Sequence, residues 1–230
     1  MKLSRIVSNQ NGVSRKRANA LIATGRVSVN DEVCREAQQD VSEFCAVSVD
    51  GNVIQQARPS RYLMLNKPAG YLSATVDDLH PTVLELIDST LHDDLHIGGR
   101  LDRASTGLLI LTNDGNWSRR LTEPEIKIPK VYRVTTEHPI TPETHRRFEA
   151  GIWFEYEQLT TSPAQIEEIN ECEARVTIYE GRYHQVKRMF HAVGNRITSL
   201  HRERMGSIQL NDELTVGQYR SLTAEEIASV

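Results

Sequence analysis

The chain has 230 residues, of which 39% are hydrophobic and 25% are charged, and its formal net charge is −4. This length and composition are typical of one or two globular domains and argue against a disordered chain or a disulfide scaffold. The mild acidity argues against a protein that coats nucleic acid indiscriminately, so any basic surface must be local.

The opening segment, MKLSRIVSNQNG, contains no apolar run long enough for a signal peptide. No later stretch approaches membrane-spanning length, so we expect no membrane partner. Cys34, Cys45 and Cys172 are odd in number and lack paired spacing, which favours structural thiols in a reduced compartment over disulfides or a zinc site. We therefore expect a cytoplasmic protein, and we expect it to be a monomer.

The first predicted helix follows Ser14, whose side chain can cap it. Ala18, Leu21 and Ile22 are spaced to form one apolar stripe, and Gly25 stands where a helix normally ends. Alternating valines in the segment that follows predict a short strand, a turn and a second strand. The face of the helix opposite the stripe is basic and carries Arg15, Lys16 and Arg17.

Charge is polarised within the first 50 residues. Residues 1–30 contain six basic side chains and no acidic one, whereas residues 31–50 contain six acidic side chains and one arginine. Such a basic run is either a solvated face or a surface for phosphates. The string GVSRKRANALIATGRVSVNDEV resembles the S-four-like RNA-binding domain of a small-subunit ribosomal protein. The resemblance implies that residues 1–58 form a small α/β domain, which would dock on structured RNA through its basic helix.

The periodicity changes after residues 57–60, where Pro59 and small polar residues predict a linker. Runs of β-branched, aliphatic and aromatic residues then predict strands at residues 62–65, 108–111, 130–135 and 174–179. Helical patterns lie between them at residues 82–88, 142–150 and 183–193. Residues 61–230 are therefore predicted to form an α+β domain.

The stretch GGRLDRASTGLLILT, residues 98–112, is the most informative part of the sequence. One interpretation is structural, with the glycines and Asp102 shaping a turn in front of an apolar strand. The other is catalytic. In that interpretation Arg100 and Arg103 bring a phosphate within reach, while Asp102, fixed by the turn, offers a carboxylate nucleophile.

GRLD followed by STGLL resembles the catalytic motif of the pseudouridine synthases, in which the aspartate attacks the target nucleotide. Three further segments match this family in order: NKPAG at residues 66–70, KVYRV at 130–134 and EGRYHQVKRMF at 180–190. The last segment, residues 200–202 and the final LTAEEIASV are most similar to the small-subunit (16S) rRNA branch. Ser105 stands where threonine is more usual, which keeps a hydroxyl group at that position.

The resemblance implies an enzyme that isomerises a specific uridine of 16S rRNA to pseudouridine, with uridine 516 as the expected target. Its partner would be 16S rRNA or a partly assembled small ribosomal subunit. The implied catalytic fold is a mixed, mainly antiparallel sheet flanked by helices. Nothing is oxidised when uridine is detached, rotated and rejoined, so we expect no cofactor and no metal. Asp102 would form a transient covalent adduct with the flipped nucleotide, at either the base or the sugar.

The resemblance also assigns roles to residues beyond the nucleophile. Tyr132 would lie against the flipped base with its hydroxyl as a proton acceptor, although an aromatic strand residue can equally belong to the core. Lys187 would pair with Asp102, and Arg182 or Arg188 could do so instead.

The segment 181–204 is strongly basic. A run of this kind is often merely solvated, but its position beside the catalytic motifs favours contact with the RNA backbone, with Arg182 and Arg188 among the contacts. Leu200 would line the uracil pocket or pack in the core. The basic residues of the segment are Arg182, Lys187, Arg188, Arg196, Arg202 and Arg204, against one acid, Glu203.

Two other classes of function are compatible with parts of the sequence. His92, Asp93, Asp94 and His96 have the side chains of metal ligands, but they lack a second cluster or a helical HExxH context. A non-catalytic RNA-binding or assembly factor would need the fold but no nucleophile. Asp102 together with the tyrosine of KVYRV therefore favours the enzyme.

Overall fold

The computed structural model describes residues 1–123 and 125–230. The chain forms two compact units, Met1–Ser60 and Arg61–Val230. The assignment of RNA binding to residues 1–58 and catalysis to residues 61–230 stays a prediction. Among the described residues, no helix is long and apolar enough to cross a membrane.

The first unit contains two helices and a four-stranded antiparallel sheet with the strand order β2-β1-β3-β4. Ser14 caps the second helix as predicted, because its Oγ accepts a hydrogen bond from the backbone N–H of Arg17 at 3.2 Å. The first helix was not predicted, since its six residues are too few to show a period. The elements are α1 (Leu3–Ser8), α2 (Arg15–Ala23), β1 (Val27–Val29), β2 (Glu32–Val33), β3 (Val47–Val49) and β4 (Asn52–Gln55).

The second unit is built on a nine-stranded sheet with four helices and a separate two-stranded hairpin. Its helices are α3 (Gly115–Thr122), α4 (Pro142–Ala150), α5 (Gln185–Ala192) and α6 (Ala224–Ala228). Its strands are β5 (Tyr62–Lys67), β6 (His96–Gly98), β7 (Thr106–Thr112), β8 (Lys130–Thr136), β9 (Trp153–Phe154), β10 (Leu159–Thr160), β11 (Gln165–Asn170), β12 (Glu173–Ile178), β13 (Ile197–Met205), β14 (Ile208–Gln209) and β15 (Tyr219–Ser221).

The large sheet runs in the order β11-β12-β8-β13-β7-β5-β15, with β14 paired to β13 and β6 paired to β7. Its pairs are antiparallel apart from the parallel pair of β7 with β13. This confirms the predicted α+β fold with a mixed, mainly antiparallel sheet flanked by helices.

Both faces of the central strands are covered, which explains why β7 reads as an unbroken apolar run. Leu109 and Leu111 belong to the core that contains Phe148 of α4 and Phe190 of α5. Leu108 and Ile110 point to a second core that contains residues of α3. Side chains that alternate along the strand therefore meet apolar partners on both sides.

The parallel pair of β7 with β13 joins two halves of the sheet, and we call it the seam. It pairs Thr106 with His201 and Gly107 with Arg202. Gly107 has a φ of +100°, and a Cβ atom there would lie 2.3 Å from the carbonyl oxygen of Arg202. Glycine is required because no side chain fits between the strands.

Several boundaries differ from the predictions. The helix predicted at residues 82–88 is a short 3-10 turn, Val83–Leu86. The helix predicted at residues 183–193 begins only at Gln185, because His184 has a left-handed φ of 49°. Strand β13 was not predicted, since its charged residues made the segment look like a surface run.

Candidate active site

Asp102 lies in the loop between β6 and β7, which we call the catalytic loop (Gly99–Ser105). The carbonyl of Asp102 accepts a hydrogen bond from the N–H of Ser105 at 3.0 Å, closing a turn. On its other side, Leu101 exchanges hydrogen bonds with the hydroxyl of Ser73: its N–H donates at 3.0 Å and its carbonyl accepts at 2.7 Å. The backbone on both sides of the carboxylate is therefore fixed.

Lys67, the last residue of β5, binds the same loop through hydrogen bonds to backbone carbonyls. Its fully buried ammonium donates to the carbonyl of Ser105 at 2.8 Å and to that of Arg103 at 3.3 Å. Burial lowers the pKa of Lys67 from 10.5 to about 8, and the nearby carboxylate of Asp102 opposes this shift. The NKPAG resemblance included Lys67 but assigned it no role.

The carboxylate of Asp102 has two partners at the start of α5. Lys187 Nζ lies 2.7 Å from Oδ2, which is the predicted pairing. His184 Nε2 lies 3.1 Å from Oδ1, a contact that the sequence did not suggest. The hydrogen bond from Lys187 holds one oxygen of the carboxylate, and the ring of His184 lies against the other oxygen.

The other candidates for this pairing have different partners. Arg182 Nε lies 3.1 Å from Glu180 Oε2. Arg188 forms a two-pronged pair with Glu157, both bonds at 2.6 Å, and its guanidinium lies 3.7 Å from the centre of the Phe154 ring. Both arginines are therefore already engaged with carboxylates, a fact that weakens their predicted role as RNA contacts.

A cavity of about 350 Å³ opens beside Asp102. Tyr132 and Leu200 both line it, and both also belong to the core, so a place in the core is compatible with a place at the cavity. Ser105 also lines this cavity, and its hydroxyl oxygen is buried and has no hydrogen-bond partner among the residues that the structure describes. The remaining lining residues include Arg100, Arg182, His184, Lys130 and Arg202.

Arg202 is an exception within the basic segment 181–204, which was expected to contact the RNA backbone. Only 1% of its surface is exposed. It donates to the carbonyls of Leu108 at 2.8 Å and Gly99 at 2.7 Å, and it reaches the Tyr132 hydroxyl at 3.5 Å. Arg202 therefore binds β7 to the catalytic loop and cannot reach a phosphate backbone. An alternation of inward and outward residues through 200–205 was the available signal.

Lys130 is a second buried cation at the cavity. Its ammonium donates to the carbonyl of Ile128 at 3.0 Å. Burial, together with the charge of Arg202, lowers the pKa of Lys130 from 10.5 to about 8. The strand motif KVYRV thus places both Lys130 and Tyr132 on the inner face of the sheet.

The remaining predicted contacts are exposed. Arg100 and Arg103 flank Asp102 at the surface, and Arg103 Nη1 lies 3.1 Å from His80 Nε2. In the first unit, Arg15, Lys16 and Arg17 are all exposed. Within residues 1–123 and 125–230, no ion pair joins any of these three to a carboxylate.

The cluster at residues 92–96 does not have the geometry of a metal site. His92 Nε2 lies 2.9 Å from the carbonyl of Ile87. Across the part of the chain that the structure describes, no group of three or more His, Cys, Asp or Glu side chains is arranged to hold a metal ion.

Comparisons with known proteins identify the family of this chain. The profile of the RNA pseudouridylate synthase family matches residues 61–192. The "Ribosomal small subunit pseudouridine synthase A" of Pseudomonas aeruginosa is 51% identical over 230 residues and is covered in full, as is this chain. The protein of the same name from Escherichia coli K12 is 46% identical with the same coverage.

A solved structure extends the likeness to the fold. The crystal structure of a pseudouridylate synthase superposes with a TM-score of 0.72 at 35% identity, covering 100% of this chain and 99% of the other. Because the family profile spans more than half of the chain and these relatives align over its whole length, the chain belongs to the RNA pseudouridylate synthase family and is a pseudouridine synthase, an isomerase.

Proposed function

We propose that this enzyme converts one uridine of 16S rRNA to pseudouridine, with uridine 516 as the expected target. The observation that carries the proposal is the carboxylate of Asp102, which Lys187 and His184 hold at the mouth of the cavity lined by Tyr132. The names of the relatives, which specify the small ribosomal subunit, support the choice of RNA.

The reaction rearranges bonds without changing the atoms of the nucleotide. The bond from N1 of uracil to C1′ of the ribose breaks, and a bond from C5 to C1′ forms. The proton on C5 leaves, and N1 ends with a proton. Asp102 acts as the nucleophile that holds the intermediate, whether the adduct forms at the base or at the sugar. No step requires a redox partner, so no cofactor is proposed.

The cavity receives the target base after it has been flipped out of the RNA. Tyr132 lies against the base and Leu200 lines the pocket, both with most of their surface already buried. The hydroxyl of Tyr132 lies near enough to the cavity to take a proton, and Arg202 stands behind it.

The first unit contributes RNA affinity in this proposal. Arg15, Lys16 and Arg17 supply exposed charge on one helix, a suitable surface for phosphates. The substrate is 16S rRNA or a partly assembled small subunit. The enzyme therefore acts in the cytoplasm, where that RNA is found, and it acts there as a monomer. A non-catalytic binding factor is the competing class. Such a protein would have no use for the Asp102 carboxylate, which Lys187 and His184 contact beside an open pocket.

The test is to map pseudouridine in the small-subunit RNA of cells with and without this protein. We expect one pseudouridine to disappear in the deletion strain and to return when the wild-type gene is supplied. Incubation of the purified enzyme with RNA from the deletion strain should restore the same site. Unchanged modification in the deletion strain would remove the assignment.

A further inference from the structure

Tyr183 and His184 form a stacked pair at the edge of the active site. Their ring centroids are 3.9 Å apart and the rings are inclined by 18°. The tyrosine is 75% exposed, whereas the histidine reaches the carboxylate of Asp102 through its Nε2 atom. An aromatic ring is thus presented to solvent one residue away from the proposed nucleophile's partner.

The backbone of this pair is restrained by the conformation of His184 and by a hydrogen bond to the carbonyl of Tyr183. His184 adopts a left-handed backbone conformation, which turns the chain immediately before α5. Arg188 donates to the carbonyl of Tyr183 at 3.2 Å, and Arg188 is itself clamped by Glu157. A ring that is already fixed loses little conformational freedom when a ligand stacks on it.

His184, on which Tyr183 stacks, lies between two concave surfaces. His184 lines both the cavity beside Asp102 and an adjoining groove of about 570 Å³. That groove is mostly basic, and its other lining residues are Lys187, Arg188, His191, Asn195, Arg196 and Ile197. Lys187 and Arg188 are paired with carboxylates, but Arg196 is exposed and forms no ion pair in the described part of the chain, so it can meet the phosphates of RNA that continues outward from the cavity.

Base flipping explains why a stacking surface would be needed beside the cavity. When a nucleotide leaves the helix, its neighbour loses a stacking partner, at a cost of a few kcal/mol. Tyr132 is 7% exposed and faces the cavity, so it serves the flipped base itself. The ring of Tyr183 is outside and open, and any base has a face that can stack on it.

We propose that Tyr183, backed by His184, is the stacking platform for the nucleobase next to the flipped uridine. The inference rests on the proposed function and deepens it by assigning a second nucleobase site. Through His184 the platform also touches Asp102, so a stacked neighbour braces the carboxylate in its working orientation. The contact recognises a ring face, and it therefore tolerates different bases.

The test compares Tyr183→Leu, which removes the ring, with Tyr183→Phe, which keeps it. The RNA is small-subunit rRNA from a strain that lacks the enzyme. Tyr183→Leu should weaken binding about tenfold, as expected for loss of base stacking, with an unchanged dependence of affinity on salt. Tyr183→Phe should bind within about twofold of wild type. Tyr156→Leu is the matched control, because Tyr156 is 94% exposed and pairs with no ring in the described chain.

A direct readout uses synthetic RNA with 2-aminopurine at either neighbour of the mapped uridine. Its fluorescence should stay quenched with wild type and Tyr183→Phe, and it should brighten with Tyr183→Leu. Thermal melting should show all variants folded, since the ring is mostly in solvent.

Different failures have different meanings. If the wild-type enzyme forms no pseudouridine, the proposed function fails. If the wild type is active but Tyr183→Leu binds equally well, the platform does not exist. A smaller salt dependence in Tyr183→Leu would show a phosphate contact in place of stacking, and an equal loss in Tyr156→Leu would show a general surface effect. Either result also overturns the inference.

Discussion

Two short basic segments of this protein look alike in sequence and differ in structure. One is the start of α2, with Arg15, Lys16 and Arg17. The other lies around the start of α5 and holds its cations in ion pairs: Arg182 with Glu180, Lys187 with Asp102 and Arg188 with Glu157. In the first segment all three side chains are exposed, and in the described chain none pairs with a carboxylate.

The difference separates two uses of positive charge. Unpaired cations on a helix can replace the counterions of a phosphate backbone. Paired cations position carboxylates, and in this enzyme one of those carboxylates is the proposed nucleophile. Arg202 and Lys130 represent a third use, because they are buried and donate to backbone carbonyls. The count of charges in a segment does not distinguish these cases.

The largest expected effect comes from Asp102→Asn, at the centre of the paired segment. The variant keeps the shape of the side chain but loses the nucleophile, so pseudouridine formation should fall by at least about 1,000-fold. RNA affinity should stay within about threefold. Asp93→Asn makes the same change of charge on an exposed residue and should be fully active. Turnover near the wild-type rate in Asp102→Asn would place the nucleophile elsewhere.

Arg202→Met tests the buried class. The variant leaves the carbonyls of Leu108 and Gly99 without their donor, so the free energy of unfolding should fall by about 3 kcal/mol. Arg204→Met is the control, because Arg204 is exposed on the same strand. Urea titration followed by circular dichroism measures both. Equal stability of the two variants would contradict the structural role of Arg202.

Replacing Arg15, Lys16 and Arg17 by glutamine tests the unpaired class. Affinity for RNA should weaken for all sequences, and the slope of log affinity against log salt should shrink by up to about three units. Chemistry at saturating RNA should survive. The double variant Arg182→Gln/Arg188→Gln should change the slope by less than about one unit, since its charges are internally paired. An unchanged slope in a folded triple variant would show that α2 is merely solvated.

Lys130 provides the smallest effect, a dependence of stability on pH. Its pKa is about 8 in the folded protein and ordinarily 10.5, so between these values the unfolded chain binds a proton that the folded chain lacks. The free energy of unfolding contributed by Lys130 should therefore rise with pH across that window. Denaturant titrations at pH 7.5 and 9.5 should show wild type gaining stability relative to Lys130→Met. A constant difference between the two proteins would contradict the lowered pKa.

Local patterns predicted the elements that local physics controls. Ser14 and the apolar stripe after it determine the start and the buried face of α2, and Pro142–Ala150 forms a helix as predicted. The β-branched and aromatic residues of β8 likewise predicted a strand, and Tyr132 and Val134 of that strand lie in the core. These features depend on residues that are close to one another in the sequence.

The site depends on contacts between distant residues. Lys187 and Asp102 are 85 positions apart, and only resemblance to a family joined them beforehand. The contact of His184 with Asp102 was missed because it requires a left-handed backbone conformation at a histidine, for which no local signal exists. The burial of Arg202 was missed because charge ordinarily indicates exposure.

The seam also affects how the activity of the enzyme changes as the temperature rises. Asp102 precedes β7 and Lys187 precedes β13, so the proposed nucleophile and its ammonium partner span two halves of the sheet that β7 and β13 join through Thr106 with His201 and Gly107 with Arg202. Partial opening there would separate the carboxylate from its ammonium while both halves keep their own strands. Hydrogen exchange should therefore report faster exchange of the amides that join β7 to β13 than of the amides that join β5 to β7, and heating should abolish activity before the circular dichroism changes.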